Sequence, residues 1–273
     1  MTSDRDPAAR LTSAEVVVPG SPEQVWEAIA TDAGPAAWLF TAEIEPREGG
    51  AVVIRREPYT SDATATVTAW DPPHRFAYEE PIEAGSSAPP LATEFLVEAR
   101  AGSTCIVRVV SGLHDHGEGW EDLVEGAGEG WRMALTLLRS YLTHFAGQRA
   151  SHLDLICGTG RPLDHRCEVF ADLMRMLDLT DRKAGDPFRA PDHAPPLAGL
   201  VEHLDDRYAV LHASSPCPAL IAMSTLPMDG RTLTVNVAGR LYGPDAHSVA
   251  QRELPRWDAW LSDRFSAPRA RPR

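Results

Sequence analysis

Between Trp120 and Phe145, apolar residues recur at steps of three and four: Ala127, Trp131, Ala134, Leu135, Leu138, Tyr141, Leu142 and Phe145. That period paints one broad stripe on a helix, with Arg132, Arg139, Ser140 and Thr143 largely off it. A face carrying an indole and two further rings needs a large apolar partner. Upstream the period drops to two over residues 42–46, 51–57, 63–70, 75–80, 92–100 and 104–111, which predicts six strands. Arg47-Glu48-Gly49-Gly50, Asp71-Pro72-Pro73-His74 and Ala101-Gly102-Ser103 separate them as turns, and residues 81–90 read as a longer, flexible loop. Connections this short imply an antiparallel meander, because parallel neighbours need long crossovers.

Residues 1–12 read as a mobile tail and 13–18 as a first, β-branched strand. Ser21-Pro22-Glu23-Gln24 then starts a short helix, with Ser21 as cap, Pro22 at the first helical position and Gln24 closing a capping box. Val25, Trp26 and Ile29 are its buried side, Gly34-Pro35 ends it, and residues 36–40 make a second short helical turn. The fold class is therefore α+β: a curved antiparallel sheet, one face buried and one wet, wrapped around the long helix that follows it.

After Ala150 the order repeats in brief. Residues 152–157 read as a strand and 163–179 as a helix with Phe170, Leu173, Met174 and Leu177 on one face. A Pro- and charge-rich connector follows at 181–196. Strands are predicted over 197–203, 208–213, 219–225 and 232–242, with Asp229-Gly230 as a hairpin signal. Gly243-Pro244-Asp245 opens a last helical stretch whose apolar face is Trp257, Trp260, Leu261 and Phe265, and Pro255 is expected to divide it. The two closing helices share a pattern, Trp131 with Leu135 and Leu138 against Trp257 with Leu261 and Phe265. We read two domains, residues 13–148 and a second, shortened and diverged copy at 151–266.

Val16 to Phe145 resembles the SRPBCC or START-like helix-grip superfamily, which includes polyketide cyclase- and dehydrase-related proteins. Within it, the match is to homologues of the activator of the ninety-kilodalton heat-shock chaperone ATPase. The resemblance rests on the order and spacing of Ser21-Pro22-Glu23-Gln24-Val25-Trp26-Glu27-Ala28, Trp38-Leu39-Phe40, Gly49-Gly50, Asp71-Pro72-Pro73-His74-Arg75-Phe76, Ser111-Gly112-Leu113 and Gly130-Trp131. It implies an apolar cavity between sheet and helix, and it does not by itself imply an enzyme.

Charge narrows the partners. The net charge is −13, and it is shared unevenly: 11 basic against 23 acidic residues through Ala150, and 15 against 16 after it. An acidic first half argues against nucleic acid, whose phosphates need a basic footprint, and against an anionic membrane surface. No apolar run reaches the roughly 18 residues of a membrane span, and the polar start lacks the core of a secretory signal, so a cytoplasmic location is expected. Cys105, Cys157, Cys167 and Cys217 have neither metal-like nor disulfide-like spacing and read as reduced, mostly buried hydrophobes.

The expected ligand-binding lining is Trp38, Phe40, Trp70, Phe76, Tyr78, Phe95, Trp131, Leu135 and Leu138. The same rings would also suit a core with no cavity. Gly126, Gly128 and Gly130 weaken the helix start. They read as a gate, as a close approach by another backbone, or as a separate segment of residues 120–125 ahead of a helix beginning near Glu129. His114-Asp115-His116 lacks a further zinc ligand and reads as a solvated loop; Asp164-His165-Arg166-Cys167 is weaker, with the cysteine facing the core. Glu43, Glu79, Glu94, Arg108, Tyr78, Glu121 and Glu125 are the ionisable groups near the sheet and helix start, most of them expected to face water. No nucleophile elbow, phosphate loop or dinucleotide fingerprint is present in the sequence, and neither cofactor nor metal is expected. Three functions remain open. The leading one is a non-enzymatic binder of a small hydrophobic molecule. The others are a cyclase- or hydrolase-type enzyme using a buried carboxylate or Tyr78, and a protein that docks on a chaperone or another protein partner through its acidic first domain.

Overall fold

The computed structural model describes residues 10–81, 90–113, 121–227 and 231–265. The His114-Asp115-His116 motif, Trp120, the 82–89 loop and the Asp229-Gly230 turn lie outside them, as do the side chains of Glu121 and Glu125. The chain divides into two compact units: Met1–Arg56 with Asp62–Gly147, and Glu57–Ser61 with Gln148–Arg273.

In the first unit β1 (Arg10–Pro19) leads into α1 (Pro22–Ile29), a 3₁₀ turn (Pro35–Ala37), and the strands β2 (Thr41–Ile44), β3 (Ala51–Arg55), β4 (Ala63–Asp71), β5 (Arg75–Glu80), β6 (Leu91–Arg100) and β7 (Thr104–Leu113). They form one antiparallel sheet in the order β1-β7-β6-β5-β4-β3-β2. Part of the expected tail of residues 1–12 is strand. Residues 10–12 belong to β1, Thr12 opposite Ser111, because pairing with β7 satisfies their backbone. The α1 capping box forms as anticipated: Gln24 donates its backbone N–H to Ser21 Oγ and returns its side-chain oxygen to the Ser21 N–H. Period-two patterning is clearest in β4, where Ala63, Ala65, Val67 and Ala69 are buried and Thr64, Thr66 and Thr68 exposed.

The long helix α2 (Glu121–His144) packs along β1 and β7. Ala134, Leu135, Leu138, Tyr141, Leu142 and Phe145 are buried, as the stripe requires. Thr136, Leu137 and Ser140 are buried too, so more of the helix circumference is covered than the apolar pattern alone indicates. Residues 121–125 continue into the same helix, so the reading of a separate segment is wrong. Gly128 supplies the reason for one glycine: a Cβ there would collide with Thr12 Oγ1 of β1, whereas Gly126 and Gly130 have nothing within 4 Å.

The second unit runs β8 (Ser151–Pro162), a 3₁₀ turn (Leu163–His165), α3 (Arg166–Met176), β9 (Pro187–Arg189), β10 (Ala198–Leu204), β11 (Tyr208–Ser215), β12 (Ala219–Pro227), β13 (Thr232–Leu241) and α4 (Ala246–Phe265). Its sheet order is β8-β13-β12-β11-β10-β9. The first strand pairs with the last, a meander fills the rest, and the closing helix packs on the first strand. That is the first unit's wiring with one strand fewer, a shortened second helix-grip copy. Phe170, Leu173, Met174 and Leu177 of the α3 segment share one core with Trp257, Trp260 and Leu261 of α4.

Two expectations fail here. Pro255 does not divide α4, which runs through it. Pro255 and Gln251, whose carbonyl loses its helical donor, are both exposed, so water satisfies that carbonyl. Cys167 is exposed, not core-facing, although the other three cysteines are buried. Among the described residues no helix is long and apolar enough to cross a membrane.

Candidate ligand cavity

A cavity of about 260 Å³ lies within the first unit, lined by side chains of α1, the 3₁₀ turn and its flank, β2, β3, β5, β6 and α2. Among the described residues of α2, only Trp131 contributes to the lining. Trp38 closes one side. Its ring is 1% exposed and its Nε1 donates to Ala28 O at 2.8 Å, which ties the turn after α1 to that helix.

Six of the nine expected residues line this space: Trp38, Phe40, Phe76, Tyr78, Phe95 and Trp131. Three do not. Trp70 packs against Trp26 at 5.1 Å and Phe76 at 5.5 Å, away from the lining, where β4 carries a register shift between Val67 and Ala69. Leu135 and Leu138 are buried in the packing of α2 and contribute no cavity wall. The aromatic lining is continuous. Phe76 contacts Tyr78 at 5.6 Å and stacks on Phe95 at 6.1 Å, and Phe95 meets Trp131 edge-on at 5.3 Å.

Polar chemistry enters at one end. Arg56 lines the cavity and makes a two-pronged ion pair with Glu80, Nη1 to Oε1 at 2.7 Å and Nη2 to Oε2 at 2.5 Å. Burial works against the Arg56 charge, but the Glu80 carboxylate more than offsets it and holds the guanidinium above its ordinary value. Burial pushes the Tyr78 phenol up to about 12, with nearby Arg56 and a hydrogen bond with Thr93 acting the other way. Register places Tyr78, Thr93 and Ser111 side by side on β5, β6 and β7, and the Thr93 and Ser111 hydroxyls are 3.2 Å apart. A neutral row of hydroxyls thus runs from the ion pair across the sheet.

The other ionisable candidates stand outside this site. Glu43 pairs with Arg55, Glu94 with Arg75 and Arg108 with Glu15, each among partly or largely exposed side chains. Glu79 alternates with Tyr78 and Glu80 and does not line the cavity. Among the described residues of the second unit, the void beside Leu153, Ile221 and Trp257 of α4 measures only about 10 Å³.

Residues 19–143 match the family described as Activator of Hsp90 ATPase homolog 1-like protein. No curated protein matches the sequence. Among solved structures, the di-domain ARO/CYC BexL from the BE-7585A biosynthetic pathway is similar at 10% identity, covering 95% of this chain and 99% of that one, with a TM-score of 0.46. CalU16 from Micromonospora echinospora is 20% identical over 51% of this chain and 81% of its own, TM-score 0.41. The Aha1 dimer from Colwellia psychrerythraea is 19% identical over 50% and 99%, TM-score 0.42.

Proposed function

We propose that the first unit, whose residues 19–143 match the family described as Activator of Hsp90 ATPase homolog 1-like protein, is a binding module for a small hydrophobic molecule. Residues 13–148 are the binding domain, and 151–266 are a copy whose core has closed. The site residues are Trp38, Phe40, Phe76, Tyr78, Phe95 and Trp131. One observation carries the reading: a cavity of about 260 Å³ in the first unit, walled almost entirely by apolar side chains. Packed interiors rarely leave such space, because empty apolar volume forfeits contacts. All four cysteines are free and three are buried, which suits a reducing compartment such as the cytoplasm.

Acid–base catalysis finds less support. A phenol pushed up to about 12 is a poor proton acceptor near neutrality, and Glu80 is already engaged by Arg56. The test is saturable binding of an environment-sensitive apolar dye to the full chain, alongside Ala42→Leu, which grows a side chain into the cavity from β2. One dye per chain is expected, with binding weakened at least tenfold in the variant while its circular dichroism is unchanged. Binding that survives Ala42→Leu intact places the dye elsewhere and overturns the reading.

A further inference from the structure

The charges at the polar end of the cavity cancel. Arg56 is the described lining residue that carries charge, and each of its Nη groups gives one of its N–H bonds to an oxygen of Glu80. The positive charge is thus already matched, although a guanidinium has five N–H donors in all. The pair is well shielded, with side-chain exposures of 22% and 15%. An anionic ligand entering here would have to share one positive charge with Glu80, leaving a net negative charge among aromatic rings or displacing Glu80 from the fork. Either route is unfavourable, because a buried charge needs a dedicated partner. What remains for recognition is neutral: the Tyr78 hydroxyl and, behind it, the hydroxyls of Thr93 and Ser111.

Volume sets the size. An apolar cavity of about 150 Å³ admits benzene, and drug-sized ligands occupy roughly 300–1,000 Å³. At about 260 Å³ this cavity falls between them, room for one or two fused rings.

Resting on the proposed binding function, we propose that the cavity selects an uncharged, one- to two-ring molecule carrying a hydroxyl or carbonyl at one end, and that the Arg56–Glu80 pair is the device that rejects anions of the same size. The hydroxyl or carbonyl lies against Tyr78 and the outer edge of the guanidinium, and the rings lie between Phe76, Phe95 and Trp131. Discrimination comes from a charge that the site has no free partner to meet, a form of specificity built against the wrong ligand.

The experiment compares two probes with the same ring system, 2-naphthol and 2-naphthoate, by calorimetric titration of the full chain at pH 7. The wild-type protein should bind 2-naphthol at least tenfold more tightly than 2-naphthoate. Glu80→Gln releases the guanidinium, so 2-naphthoate should gain at least tenfold while 2-naphthol changes less than threefold. Equal or stronger wild-type binding of 2-naphthoate overturns the selection rule, and this comparison stands even if the variant fails to fold. A folded Glu80→Gln that gains nothing for 2-naphthoate removes the role of the pair while leaving the cavity as a binding site. Failure of both probes to bind the wild-type chain overturns the binding function itself, and the selection rule with it.

Discussion

Arg240 in the second unit is 2% exposed, and a guanidinium that deep is tolerated only with a dedicated acceptor. It donates to Asp154 Oδ1 at 2.7 Å and to the Gly239 carbonyl at 2.8 Å, while the Tyr59 hydroxyl lies 3.0 Å from the same carboxylate oxygen. Burial pushes the Asp154 carboxyl upward, but the charge of Arg240 and hydrogen bonds from His152 and Arg240 more than offset it and hold the group below its ordinary value. A depressed carboxylate contributes stability that is present above its unfolded value, near 3.9, and is lost as pH falls through the folded one. Asp154→Asn should therefore destabilise the second unit by about 3–5 kcal/mol at pH 7, since it strands a buried cation. The gap to wild type should narrow below about pH 4. Urea titrations read through hydrogen exchange of β8 and β13 check both points, and a gap independent of pH would show that the charge is not what matters. Glu43→Gln, on the exposed pair with Arg55, should leave the midpoint unmoved. At this scale the sequence was only partly legible. Most of the aromatic lining could be read from the apolar pattern, Trp70 excepted, whereas Arg56 and Glu80 could not, because a charged residue at a strand end is assigned to solvent by default. The available signal was parity: Val52 and Ile54 point inward and so does Arg56, and Phe76 and Tyr78 carry Glu80 with them.

Elements set the next level, and α2 shows how one helix answers to two constraints. Glycine in a helix costs about 1 kcal/mol relative to alanine, so three in five residues weaken its first turns. Only Gly128 has a steric reason, its close approach to Thr12 on β1. Gly126→Ala and Gly130→Ala should each raise stability by up to about 1 kcal/mol. Gly128→Ala should lower it, and adding Thr12→Ala should recover part of the loss. Thermal denaturation of the four variants decides it; a stabilising Gly128→Ala would mean that the helix is not held against β1 at that point. Periodicity found α2, α4 and nearly every strand, because burial on one face writes a period into the sequence. It missed β9, three residues inside a Pro-rich connector, which are too few to show alternation. It also misjudged Pro255, since sequence alone does not say whether water reaches the carbonyl that a proline leaves without a donor.

Across the whole molecule, one wiring diagram serves two ends. Both units pair their first strand with their last and close with a helix, yet one keeps a cavity of about 260 Å³ and the other a void of about 10 Å³ at the corresponding helix. The antiparallel meander was legible from turn spacing, whereas the pairing of each first strand with the last was not, because no short turn joins them. The difference in filling was not, because it depends on side-chain volumes summed across elements distant in sequence. The first unit's cavity is partly open to solvent, and its apolar walls forgo part of the contact they would have in a filled core. A ligand that fills it returns part of that as linkage, about 2.7 kcal/mol at a hundredfold excess over Kd. Beside its own closing helix, the described part of the second unit has only the small void to fill. Saturating 2-naphthol should therefore slow hydrogen exchange across β2, β3, β5, β6 and α2, the elements that wall the cavity, and leave β11, β12 and β13 unchanged. Equal protection of both sheets would mean that the probe acts on the chain as a whole, and exchange unaltered in β5 and β6 would place it outside the cavity.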